Sequence, residues 1–307
     1  MCGSGGGFWH PPRSIGPIRR DIDDRTSEAD YTAEVSTVIQ DALKDFNERD
    51  VEAIQKHLQL LRKALSKDID DVVETSFGGS VAKHSYVDGL SDVDILVNVA
   101  DTELSQTSPG ELLSYFAKLL RDRLPDTKVR EGDLAVTVTY SDGFEVQLLP
   151  TLKSEEGIRL PDRGGAAWSK VVRPHDFARK LTDVNNAAGR LVVPVIKLMK
   201  AAQSSFPADA QLSGYHVESL AVNAFRDYRG RLNAKEMLQH LCRYVETHVQ
   251  TPVSDSTGQS VHVDDDLGPA NSPSRQRISS YVSRLVNKLR SADERRDAAV
   301  WEEVLSE

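Results

Sequence analysis

The segment Gly78-Gly79-Ser80, followed by Ser91-Asp92-Val93-Asp94, constrains the fold of this chain more than any other. Val72–Phe77 leads into the glycine pair, and Ile95-Leu96-Val97 follows the second aspartate. Both runs read as strands. Two glycines and a serine between a strand and a helix start turn the chain tightly and offer N–H groups and a hydroxyl to phosphate. Alternation along the second strand puts Asp92 and Asp94 on one face, about 6–7 Å apart. That spacing suits carboxylates that share a hard cation. Either piece alone has an ordinary reading, as a turn or as a solvated strand end. In this order they predict a phosphate cradle set against an acidic strand, and hence transfer of nucleotidyl groups.

The surrounding pattern predicts an α+β chain. Residues 1–30 are rich in Gly, Pro and charge, carry no apolar period, and are expected to form a flexible arm. Val35, Val38, Ile39, Ala42, Leu43 and Phe46, then Ile54, Leu58, Leu61 and Leu65, mark two helices. Asn47–Asp50 is the break between them, with Asp50 as N-cap of the second. Short strands are expected at 72–77, 92–99, 128–131, 134–140 and 144–149, with Ser141-Asp142-Gly143 as a hairpin turn. Glu111–Asp122 reads as a helix capped by Ser108-Pro109. After Pro150 the pattern turns helical, at 175–187, 190–204, 214–228, 233–249, 274–291 and 294–305, with a polar loop over 251–273. The expected division is therefore an arm (1–30), a mixed catalytic lobe with N-terminal helices (31–160) and a helical lobe (161–307).

Net charge narrows the partners. At −9 the chain is not expected to hold long nucleic acid, which calls for a basic surface. Between Thr151 and Ala210, however, ten Lys or Arg face six Asp or Glu, enough for a local phosphate-binding patch. No apolar run approaches the roughly 18 residues of a membrane span. Cys2 and Cys242 have no zinc-site spacing. These features lead to an expectation of a cytoplasmic protein without a membrane partner.

The chemistry that two same-face aspartates support is in-line attack of a sugar hydroxyl on an α-phosphate, with Mg2+ as cofactor and Mn2+ as an alternative. A third carboxylate usually comes from a neighbouring strand. Phe144–Pro150 is the candidate, with Glu145 and Gln147 on one face. Glu145 can be ligand and general base; Gln147 offers only a neutral oxygen.

These residues resemble the polymerase-β-like nucleotidyltransferases, and within them the CD-NTases, the oligonucleotide cyclases of bacterial anti-phage systems, together with the oligoadenylate synthases. The second lobe strengthens the likeness through Pro194–Lys200, Leu212–Leu220 and the late stretch Ser256–Ser260 with Leu267–Ser272. The resemblance implies a nucleotidyltransferase lobe followed by a helical lobe that adds triphosphate-binding residues. Residue by residue, it implies that Gly79 and Ser80 hold the donor triphosphate, that Asp92 and Asp94 bind metal, that Lys200 neutralises the β- and γ-phosphates, and that Ser213 and Tyr215 hold the tail or base. Gln147 departs from the family pattern, which has a carboxylate there; Glu145 is expected to replace it as metal ligand and base, the alternatives being a weaker site with two acids or an inactive one.

The implied activity is template-independent synthesis of a cyclic di- or oligonucleotide messenger from nucleoside triphosphates, ATP among them, read by a separate effector protein. Alternatives are a linear oligomer synthase or terminal nucleotide-adding enzyme, a nucleotide-binding pseudoenzyme suggested by Gln147, and a protein nucleotidylating enzyme, which is disfavoured by the long helical lobe.

Overall fold

The computed structural model describes residues 16–47, 51–66, 74–87, 93–99, 103–161, 166–254 and 263–306. Asp50, Ser91, Asp92 and the stretch Ser256–Ser260 lie outside these residues.

Chain order begins with two helices, α1 (Gly16–Asp45) and α2 (Val51–Ser66), then β1 (Glu74–Phe77), a one-turn helix α3 (Gly79–Ala82) and β2 (Val93–Asn98). Helix α4 (Pro109–Arg123) precedes β3 (Lys128–Glu131), β4 (Val136–Thr139), β5 (Glu145–Ser154) and β6 (Gly157–Arg159). The remainder is helical: α5 (Pro174–Ala187), α6 (Val192–Ser204), α7 (Gly214–Phe225), α8 (Ala234–His248), α9 (Pro273–Arg295) and α10 (Ala299–Leu305). No described helix is long and apolar enough to cross a membrane.

One six-stranded sheet runs β1-β2-β5-β4-β3, with β6 paired to the far end of β5. The β2–β5 pair is parallel and the others are antiparallel. Alternation sorts its residues. Val93, Ile95, Val97, Val146, Leu148, Val136 and Val138 are buried beneath α2 and α4, which supply Leu61, Leu65, Leu112, Phe116 and Leu120. Asp94, Leu96, Glu145 and Gln147 occupy the opposite, partly open face. Helix α4 starts where the sequence places it. The Ser108 hydroxyl accepts from the Glu111 N–H, the Glu111 carboxylate accepts from the Ser108 N–H, and Pro109 opens the first turn.

The second core joins α5–α10, and α1 belongs to it. Tyr31, Val35, Ile39 and Phe46 pack with Leu198, Leu241, Val282 and Trp301. The Trp301 indole donates to the Tyr31 hydroxyl at 3.0 Å, and that hydroxyl donates to Asp293 at 2.6 Å. Grouping α1 with the sheet is thus corrected: of the two N-terminal helices, α2 covers the sheet and α1 joins the bundle. Helix α1 also begins at Gly16, inside the expected arm. Its first turns carry no apolar stripe, so hydrophobic period gives no sign of them, and they extend a helix whose later turns are packed. Strand β5 likewise runs through Pro150, which stands opposite Val97. Within the 251–273 stretch, Asp264 is buried and held by the fully buried Arg275, which also donates to the carbonyls of Val249, Thr251 and Gly268.

Candidate active site

Strand β1 ends in an extended glycine. The Gly78 N–H donates to the Asp94 carbonyl at 2.9 Å and carries the β1–β2 pairing one step further. A Cβ on Gly78 would stand 3.0 Å from Leu96 Cγ and 3.5 Å from Asp94 Cβ. The turn therefore lies close against the acidic strand, and a side chain at position 78 would press on Leu96. Gly79 and Ser80 open α3; the Ser80 carbonyl accepts from the Ser85 N–H at 3.0 Å and closes the turn. Ser80 and Asp94 are thus on touching segments, as the sequence predicts.

Across the parallel pair Asp94 faces Gln147, and Gln147 faces Thr137 on β4. Glu145 stands one pleat earlier on the same face, opposite Thr139, whose hydroxyl donates to its carboxylate at 2.7 Å. Gln147, rather than Glu145, is the cross-strand neighbour of Asp94. Among the described residues no three His, Cys, Asp or Glu side chains cluster into a metal site. The donors on this face are hard oxygens that suit Mg2+: the Asp94 and Glu145 carboxylates, with the Gln147 amide between them.

The helical lobe supplies the facing wall. Ser213 caps α7, accepting from the His216 N–H at 3.3 Å. A Cβ on Gly214 would lie 3.3 Å from Lys200 Nζ, so the ammonium rests against the start of α7. Tyr215 meets Phe177 edge-on at 4.8 Å. Lys200, on α6, is buried and donates to the Ser85 carbonyl at 2.8 Å and to Glu218 at 3.1 Å. Burial pulls the Lys200 pKa below the ordinary lysine value, against the opposing pull of Glu218 and, more weakly, Asp94. Burial works to raise the Glu218 pKa, but Lys83 and Lys200 together outweigh it and the carboxylate is held below its usual range.

Sequence reasoning grouped Ser80, Asp94, Gln147, Glu145, Lys200, Ser213 and Tyr215; the structure sets the Ser80 turn, Lys200 and the start of α7 at the lobe junction, and Asp94, Gln147 and Glu145 on the sheet face beside that turn. It missed Lys83. The lysine follows α3 directly, pairs with Glu218, and places its ammonium 5.2 Å from the Phe177 ring and 5.3 Å from the Tyr215 ring. Its signal was a cation three residues after Ser80, which is indistinguishable from surface charge without the partner. Neighbouring Lys197 donates to Asn47 at 2.6 Å and ties α6 to the end of α1.

The family model of the second messenger oligonucleotide or dinucleotide synthetase domain matches residues 32–185. The chain belongs to this family. The synthetase match runs from the second half of α1 through the sheet and the Ser80 turn into α5. Solved structures extend the likeness over most of the chain. The CD-NTase CdnG of Bradyrhizobium diazoefficiens, in complex with GTP, aligns with a TM-score of 0.67 at 14% identity, covering 89% of this chain and 97% of its own. The DncV cyclic AMP-GMP synthase of Vibrio cholerae aligns at 0.61 and 15%, covering 95% and 90%. CdnC of E. coli MS115-1, with ATP, aligns at 0.58 and 19%, covering 88% and 94%. At these identities the structures speak for the fold, which is the α+β, polymerase-β-like architecture expected from the sequence. Comparison with curated protein sequences finds no match.

Proposed function

We propose that this synthetase joins nucleoside triphosphates without a template and releases a cyclic di- or oligonucleotide that signals to a separate effector protein, as in anti-phage defence. The observation that carries the reading is the Gly78 N–H to Asp94 carbonyl bond, which locks the hydroxyl turn to the acidic strand. Ser80 holds the donor triphosphate on the sheet side, and Lys200, Ser213 and Tyr215 bound it on the helical side. A sugar hydroxyl oxygen forms a bond to the α-phosphorus as the bond to pyrophosphate breaks. Glu145, aimed by the Thr139 hydroxyl, takes the hydroxyl proton. Asp92, Asp94 and Glu145 would hold Mg2+, which supplies charge neutralisation at the leaving pyrophosphate. ATP and GTP are the first substrates to try, since related structures hold them. A cytoplasmic setting belongs to the same proposal: it supplies the triphosphates and keeps the buried Cys242 thiol reduced.

One register favours a second reading. A neutral amide directly opposite Asp94 weakens cation binding, which suits a protein that holds nucleotide without turnover. Incubation of the purified chain with labelled triphosphates and Mg2+ decides between the two. The synthetase reading expects pyrophosphate and a phosphatase-resistant product that Asp94→Asn abolishes. Tight triphosphate binding with no pyrophosphate, with phage-derived activators included, would establish the second. A phosphatase-sensitive product would show a linear chain instead of a ring.

A further inference from the structure

Two ammonium groups share one carboxylate where the cores meet. Glu218, 1% exposed on α7, takes Lys200 and the Ser85 hydroxyl on one oxygen and Lys83 on the other. Lys83 and Ser85 belong to the turn that carries Ser80; Lys200 and Glu218 belong to the helical lobe. The side chains of Lys83 and Lys200 are 12% and 7% exposed. A buried carboxylate balances one ammonium, and water is too scarce at the junction to screen the other. Apolar packing would join two cores at lower electrostatic cost, so the cluster asks for a reason beyond adhesion. Asp94 also acts on Lys200 through its field. Its charge, on the reading of the site given above, is committed to the cation. Among the described residues one positive charge is then in surplus at the junction, between the Ser80 turn and the first turn of α7.

We propose that Lys83 is a further polyphosphate-binding residue of this enzyme and that Glu218 holds it in place, so that docking of the Ser80 turn on the helical lobe and binding of a nucleotide's polyphosphate tail are a single equilibrium. The proposal rests on the reading of the site as a nucleoside triphosphate site. The geometry supplies its parts. Glu218 gathers both ammonium groups without being able to neutralise them. The Phe177 and Tyr215 rings flank Lys83 and restrict where its head can go. An anion bound between the Ser80 turn and the first turn of α7 completes the charge balance and, by linkage, tightens the contact between the lobes.

Tripolyphosphate, which carries neither base nor sugar and is used here without metal, is the probe. Thermal unfolding of the full chain is followed with and without it for the wild type, Lys83→Met and Lys83→Arg, together with KM and kcat for triphosphates. Lys83→Met leaves the Lys200–Glu218 pair and both Ser85 bonds in place, so folding is retained. Tripolyphosphate is expected to raise the wild-type Tm, and the rise should fall by more than half in Lys83→Met. KM should rise roughly tenfold while kcat stays within about threefold. Lys83→Arg should restore both. A purely structural lysine would lower the unliganded Tm and leave KM and the tripolyphosphate shift unchanged, which overturns the proposal. So does a wild type that turns over triphosphates yet gains nothing from tripolyphosphate. A wild type that neither binds nor turns over triphosphates sinks the reading of the site itself, and this proposal with it. Should Lys83→Met fail to fold, hydrogen exchange on the wild type decides. Tripolyphosphate should protect residues 80–87 and 213–219 together, and protection of one segment without the other overturns the proposal.

Discussion

At Glu218 a single charge outweighs the contact area around it. The carboxylate is ionised, buried and bonded to three groups from two segments, so Glu218→Gln removes the carboxylate that two buried ammonium groups share. Breaking such a cluster from one side costs about 3–5 kcal/mol, to be read as the loss in unfolding free energy by urea titration. A loss below about 1 kcal/mol would mean that water reaches the cluster. Glu145 and Gln147 make a second residue-scale test. If Glu145 is the base, Glu145→Gln lowers turnover by at least about 100-fold, whereas Gln147→Ala changes it less than about tenfold. Steady-state product formation decides, and the reverse order would move the third ligand to the residue facing Asp94. The turn was legible in the chain, because Gly-Gly-Ser encodes its geometry locally. Lys83 was not. It takes its meaning from a partner in the other core, and a lysine after a turn does not announce where its charge is spent.

Among the elements, the β1–α3 turn is the most exacting. Its glycine is extended, so the reason for glycine at position 78 is space rather than backbone freedom. Gly78→Ala sets a Cβ 3.0 Å from Leu96 Cγ, so the turn and the Leu96 side chain must move apart by a few tenths of an ångström, at a cost of about 1–3 kcal/mol. The same displacement moves Ser80 relative to the acidic strand, so catalysis suffers beyond the stability loss. At a temperature where the variant is fully folded, kcat/KM should fall at least about tenfold. Unchanged kinetics would show that the turn relaxes freely. Elements with local signals were found in place, α4 with its Ser108 capping box and first-turn proline above all. Elements without them were misjudged. The early turns of α1 lack an apolar stripe, and the stripes of α1 and α2 look alike in sequence although one faces the bundle and the other the sheet. Periodicity says that a helix face is buried and is silent about what buries it.

For the whole molecule, the long-range ties are carboxylates. Glu218 joins the sheet lobe to the bundle; Asp264 fastens the loop before α9 through Arg275; Asp293 ties α9 to α1 and α8 through Tyr31, Gln239 and Lys235. For all three, burial pushes the pKa up and is outweighed by hydrogen bonds and neighbouring cations, so each folded-state value lies below the ordinary one. A depressed carboxylate adds stability that is fully present above its unfolded pKa, roughly 4, and that is lost as pH falls through the folded value. The urea midpoint should therefore drop steeply below about pH 4, after a gentler fall that starts below about pH 6.5, where unfolding lets the buried His216, its pKa lowered by burial, take up a proton. A midpoint that holds to about pH 3 would show that the three ties contribute little to folding. Glu218→Gln separates one tie from the other two. The variant starts from a lower midpoint, and its acid-side decline should be shallower than the wild type's, since one of the groups that takes up a proton on unfolding is gone. An equally steep decline would place the acid sensitivity in the bundle, at Asp264 and Asp293, and leave the lobe junction indifferent to pH.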